Sequence, residues 1–256
     1  MTLRATFSSE AMLCATFLAH LPGDWKAYPE SCGFDIVLSR VADGAQIGIE
    51  AKLTLNAKVI EQITEPGSHY RSVDPGPDFR AVLVPFGSAG GLSGVCHIIG
   101  VTVIEMHSKA TWESMRWRKE PTFKPTLPPI APRNDWWEDR HWHDFAPTKQ
   151  LQLPAYVPDV RAGRPAPLQL TEWKIKAMRM AILVERRGYV TREDFKALAL
   201  DHRRWIERGG WLEQGPFRGQ YVATVRLQTF RRQHPRNYAE IEADFEKWNP
   251  DKAKAT

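Results

Sequence analysis

The sequence predicts an α/β chain. The elements run helix, strands, helix, strand, strand, and a smaller module of three helices and a β ribbon follows. Three observations predict it. Apolar runs rich in Val, Ile and Leu recur at 34–41, 45–55, 79–87 and 96–106, interleaved with helical stretches at 8–21 and 56–66. Ten of the 19 prolines crowd into residues 121–167 and divide the chain into an N-terminal and a C-terminal part. Beyond them, residues 168–236 return to helical spacing and carry 15 Lys/Arg against 7 Asp/Glu. The chain accordingly divides into residues 1–120, a Pro-rich aromatic linker 121–167, a basic module 168–236, and a closing helix and tail 237–256.

The elements run in order. "SSEAMLCATFLAHL" (8–21) offers Ser as an N-cap, with Met12, Ala15, Phe17, Leu18 and Leu21 on an apolar stripe. "DWKAYPES" (24–31) is a short strand or an approach loop. Phe34 to Val41 and Ala45 to Leu55 are strands joined through the Asp-Gly of "ADG" (42–44). "NAKVIEQITEP" (56–66) starts a helix at Asn56 and stops it at Pro66. "FRAVLVPFG" (79–87) and "CHIIGVTVIEM" (96–106) are two further strands, with the glycine-rich 87–94 as a flexible connection that lacks the lysine of a phosphate-binding loop.

Proline removes a backbone donor and fixes φ, so 121–167 can be neither a long helix nor an interior strand. "DWWEDRHWHDF" (135–145) is too aromatic to float in water, which lays the linker partly along the first domain. His141 and His143, with Asp139 and Asp144, have a spacing that a transition metal can use, but they read as a polar, wet loop. In the last third, "TEWKIKAMRMAILVERRG" (171–188) runs from a Thr cap to a Gly stop, and "TREDFKALAL" (191–200) and "DHRRWIERGG" (201–210) give two more helices. "WLEQGPFRGQYVATV" (211–225) folds as a ribbon around Gly215-Pro216, and "YAEIEADFEKW" (238–248) is an acidic closing helix.

Composition excludes several classes. Apolar content of 43% and aromatic content of 11% support a core. Cys14, Cys32 and Cys96 are too scattered for a zinc site and suit a reduced, cytoplasmic setting. No basic and apolar leader opens the sequence, and no run nears the ~20 apolar residues of a membrane span, so no membrane partner is expected. The net charge of +5 comes from the last third, since residues 1–120 hold 11 basic against 13 acidic residues. Such a local surplus suits a polyanion; a solvated surface is the plainer reading.

Chemistry concentrates at 33–53. Alternate strand residues share a face, so Glu50 and Lys52 project together, and the hairpin brings Asp35 beside Glu50. Two carboxylates and the Ala51 backbone carbonyl make a hard oxygen site for Mg²⁺ or Mn²⁺. Lys52 can orient or deprotonate a water, or stabilise negative charge at phosphorus. Read structurally, the same residues are a strand cap and an edge-strand ion pair.

Asp35 followed by Glu50-Ala51-Lys52 at the end of the next strand, with a helix after it, resembles the PD-(D/E)XK nuclease superfamily over residues 8–106. Phe34 stands where proline is common in that pattern. The resemblance implies a restriction-endonuclease-like αβββαβ core, a mixed central sheet flanked by helices, and metal-dependent phosphodiester hydrolysis. It further implies a metal role for Glu10 on the first helix and a site-lining role for Gln62 on the helix after the lysine. Glu10 also suits the plainer role of an acid at a helix N-terminus. The three C-terminal helices and ribbon resemble a winged helix-turn-helix, with Arg203, Arg204 and Arg208 on the third helix and Arg218 in the wing as nucleic-acid contacts. Winged helices also dock proteins. The expected activity is a Mg²⁺-dependent deoxyribonuclease acting on DNA, with a homodimer or partner proteins compatible. The rivals are a catalytically silent DNA-binding or interaction protein on the same fold, and a defence or mobile-element component that acts with partners.

Overall fold

The Ser9 hydroxyl accepts a hydrogen bond from the Met12 amide, 3.2 Å away, and starts helix α1 (Glu10–Ala19). The computed structural model of the protein describes residues 7–64, 75–108, 113, 122–130, 141–163, 170–207, 209–227 and 229–251. It divides into two units, Met1–Leu153 with Val160–Pro167, and Pro154–Asp159 with Leu168–Thr256.

In the first unit, β1 (Trp25–Ser31) and β2 (Phe34–Arg40) are joined by Cys32-Gly33. Both turn residues have positive φ, 54° and 86°, which matches the twist of the flanking strands. Residues 24–31 therefore resolve into a strand. β3 (Gln46–Ala51) runs antiparallel to β2; β4 (Phe79–Pro85) and β5 (Val101–Met106) come next in parallel; β6 (Phe123–Lys124) closes the edge antiparallel. The sheet order is that of the sequence, β1 to β6. Leu13, Cys14 and Phe17 of α1 pack with Ile36, Leu38, Ile47, Ile49 and Ala51 in one buried cluster, which ties the helix to the strands that carry the acidic residues. Helix α2 (Ala57–Thr64) makes the crossover from β3 to β4. The buried Arg80 of β4 donates to the carbonyls of Ile63 and Thr64, satisfying the end of that helix.

The structure corrects three expectations. Residues 96–106 are not one strand. Helix α3 (Ser93–Ile98), preceded by a 3₁₀ turn at Gly90–Leu92, occupies the first part and β5 the rest. β4 and β5 are parallel, and a parallel pair needs a crossover that a tight turn cannot supply. The glycine-rich 87–94 is thus the lead-in to a helix. The second hairpin strand ends at Ala51, four residues short of Leu55. Within the proline-rich stretch, Phe123 enters the sheet edge, and Gln46 exchanges two 3.0 Å hydrogen bonds with the Leu151 backbone.

In the second unit, α4 (Glu172–Arg187) starts on Thr171 and stops at Gly188, whose φ is 79°. Then come β7 (Val190–Thr191), α5 (Arg192–Ala197), α6 (Arg203–Ile206), β8 (Leu212–Gln214) and β9 (Gln220–Ala223), with β9 central in a three-stranded sheet. Thr191 and Asp194 form a reciprocal cap on α5. α6 is a single turn, shorter than 201–210 suggested. The chain turns back at Gly210, where an added Cβ would lie 2.4 Å from the Trp205 carbonyl oxygen. α7 (Thr229–Gln233), α8 (Pro235–Ala243) and α9 (Phe245–Trp248) close the unit. The stretch 238–248 is thus two helices that part at Asp244, and Tyr238, Ile241 and Phe245 all reach the core. Among the described residues no helix is long and apolar enough to cross a membrane.

Candidate active site

The hairpin registers build the site. Ile36 pairs with Ile49, and Pro29 and Ser31 pair with Ile36 and Phe34. One residue along, Asp35 therefore faces Glu50 on one side and Glu30 on the other, so three carboxylates form a row across β1, β2 and β3. Asp35 Oδ2 accepts a hydrogen bond from the Ala51 amide at 2.8 Å, which fixes its carboxylate at the end of β3. Lys52 lies one residue beyond the strand and is held there by its amide, which donates to Leu83 at 2.9 Å. Its Nζ is 3.2 Å from Glu10 Oε2 and 3.7 Å from Asp35 Oδ2. Glu10, Asp35, Glu50 and Lys52, drawn from α1, β2, β3 and the residue after β3, thus come together.

Burial sets the electrostatics. Glu50 is 6% exposed, and its carboxyl is pushed up to about 7, first by burial and then by the negative charge of Asp35, with Lys52 opposing. Burial pulls the Lys52 ammonium down, but Asp35 and Glu10 outweigh it and hold it above the ordinary lysine value. Lys52 is therefore protonated at neutral pH and serves as a cationic donor. Cys14, buried beneath, is pushed far up by burial and by Asp35, Glu30 and Glu10, so it stays a thiol.

Gln62 lies on α2, half-buried, and among the described residues no hydrogen bond joins it to the four above. Glu30 was missed. Its signal was the Cys-Gly turn, which sets the β1–β2 register and so places a glutamate opposite Asp35. Among the described residues no three His, Cys, Asp or Glu side chains form a group set to hold a metal ion. That covers His141, His143 and Asp144, while Asp139 lies outside the described residues. A hard cation would have two carboxylates, Asp35 and Glu50, with the Ala51 peptide oxygen. Mg²⁺ fits such a set, since it commonly takes one or two carboxylates and keeps several waters. Burial first and Asp35 second leave Glu50 holding its proton to about pH 7, a value that a bound cation would lower.

In the second unit, Arg203 and Arg204 of α6 and Arg218 of the β8–β9 turn are exposed, while Trp205 anchors α6 in the core. Among the described residues no ion pair engages those three guanidinium groups; Arg208 lies outside the described residues. Comparison of the chain with protein-family models, curated proteins and solved structures finds no match.

Glu50 holds its proton more tightly folded, about 7, than at the ordinary 4.5. Its contribution to stability is therefore full below 4.5 and lost as pH rises through 7. In EDTA, Glu50→Gln should stabilise the protein at pH 8 by about 1–3 kcal/mol and leave it unchanged near pH 4. Urea midpoints at the two pH values check this, and equal effects at both would contradict it.

Proposed function

We propose that this chain is a metal-dependent nuclease that hydrolyses phosphodiester bonds of DNA. The observation that carries the reading is the buried Glu50 carboxyl facing Asp35, with the Lys52 ammonium alongside. A solvated strand end has no use for two opposed carboxylates, whereas a site for a divalent ion and a phosphate does. Asp35, Glu50 and the Ala51 carbonyl would hold Mg²⁺ or Mn²⁺, which when bound supplies Lewis-acid polarisation of a phosphoryl oxygen and a water of lowered pKa. Lys52, fixed by Glu10, keeps its proton at Nζ and donates to a non-bridging phosphoryl oxygen or to the attacking water. Asp35, already bonded to the Ala51 amide, needs no reorganisation to present its other oxygen. The αβββαβ order, with β3 and β4 parallel, supports a restriction-endonuclease-like core.

The second unit, on this reading, is a winged-helix-type module that grips DNA. Its support is the order of α4, β7, α5, α6, β8 and β9, with exposed arginines on α6 and at the ribbon turn. A one-turn α6 offers little length for reading base edges, so the grip is mainly to phosphates and tolerant of sequence.

Asp35→Ala, Glu50→Ala and Lys52→Ala should each slow nicking of supercoiled DNA in Mg²⁺ by on the order of 100-fold or more. EDTA should abolish it. Wild-type cutting by Glu50→Ala, or cutting in EDTA, contradicts the assignment.

Changing Arg203, Arg204 and Arg218 together to Ala should weaken binding to every DNA sequence alike and lower the slope of log K against log salt by about 2–3. Gel-shift titrations at several salt concentrations measure it. An unchanged slope would assign these arginines to another partner.

A further inference from the structure

Glu30 has a left-handed backbone, φ 47°, on an otherwise extended strand. A non-glycine residue there costs on the order of 1 kcal/mol, and such strain persists only where neighbouring structure holds it. A long-range bond holds it: Glu30 Oε1 accepts from the Gly163 amide at 2.8 Å, across 133 residues. A carboxylate acceptor makes that bond stronger than a neutral one.

Gly163 has a matching constraint. Its φ is +73°, and a Cβ on it would lie 2.9 Å from the Ala11 nitrogen and the Glu10 carbonyl carbon, and 3.0 Å from the Glu10 oxygen. Only glycine lets this loop lie against the backbone of the first turn of α1. The preceding Ala162 is 3% exposed and shares the buried cluster with Leu13 and Phe17 of the same helix. Glu10, on that first turn, is the residue that pairs with Lys52 at 3.2 Å. The contacts therefore run from Glu30 to Gly163, to the first turn of α1, to Glu10, to Lys52.

We infer that Glu30 and Gly163 form a latch that positions the first turn of α1, so that Glu10 meets Lys52 at the mouth of the site. Glu30 is a positioning residue and does not itself touch substrate or ion. Only the activity arm of the test rests on the nuclease reading. A carboxamide keeps the oxygen that accepts from Gly163 and loses the charge, so Glu30→Gln separates a latch from a cation ligand.

Full-length Glu30→Ala, Glu30→Gln and Gly163→Ala are compared with wild type in two ways. In metal-free buffer, amide hydrogen exchange at Met12, Leu13 and Cys14 should speed up about tenfold in Glu30→Ala and in Gly163→Ala. Glu30→Gln should stay within about twofold of wild type. With Mn²⁺ and DNA, kcat should fall about tenfold in the first two variants and be retained in Glu30→Gln, with Mn²⁺ affinity near wild type in Glu30→Gln. Unchanged exchange in both Glu30→Ala and Gly163→Ala overturns the latch. So does a loss of Mn²⁺ affinity in Glu30→Gln as large as in Glu30→Ala, which would make Glu30 a ligand. If wild type neither binds Mn²⁺ nor cuts DNA, the nuclease reading fails and the exchange rates still decide the latch.

Discussion

Glu50 is the last residue but one of a central strand, with its carboxyl almost stripped of water and Asp35 across the ladder. Two ionised carboxylates in that position repel each other with little solvent to screen them, so the site either keeps a proton or acquires a cation. Lys52 supplies one positive charge, but Glu10 and Asp35 share it, and Glu50 remains protonated to about pH 7. The hairpin fixes which residues oppose, the Ala51 amide pins Asp35, and α1 delivers Glu10 to hold the lysine.

The scaffold makes that placement rigid. α1 is packed through Leu13, Cys14 and Phe17 onto the strands that carry Asp35 and Glu50, so the residue at its N-terminus cannot drift far from Lys52. On the other side of β3, the parallel pairing with β4 obliges the chain to cross over through α2, and Arg80 secures the end of that helix. The division of charge is equally physical. The first unit brings Glu10, Asp35 and Glu50 together around Lys52, and the second presents arginines on a short helix and a ribbon turn. For the proposed nuclease these are separate tasks, one for chemistry and one for holding a polyanion.

Much of the site was legible because a strand has a period of two and a hairpin reverses direction. Those rules alone put Asp35 beside Glu50 and Lys52 on the face of Glu50. Helix ends were legible at Ser9, Thr171 and Gly188, where a side-chain cap or a glycine stop acts locally. The features that stayed hidden depended on distant parts of the chain. The Cys-Gly turn next to Glu30 sets its register, but its strained backbone and its bond to Gly163 leave no pattern in nearby residues. Helix α3 was hidden because a short apolar run reads as strand or buried helix alike, and only the parallel β4–β5 pairing decides. α6 stops where Glu207 turns to an extended backbone, and the break at Asp244 interrupts a continuous helical pattern. Gln62 sits on the expected helix, and among the described residues no hydrogen bond joins it to the carboxylates.

The central claim is that burial and the Asp35 charge make Glu50 keep its proton until a cation binds. The most direct measurement is the titration of the Glu50 carboxyl carbon by NMR, without and with saturating Mg²⁺. The account predicts a midpoint near 7 in the metal-free protein and a fall of about 2 units or more with Mg²⁺. A metal-free midpoint at the ordinary glutamate value, or one that Mg²⁺ does not move, would contradict it.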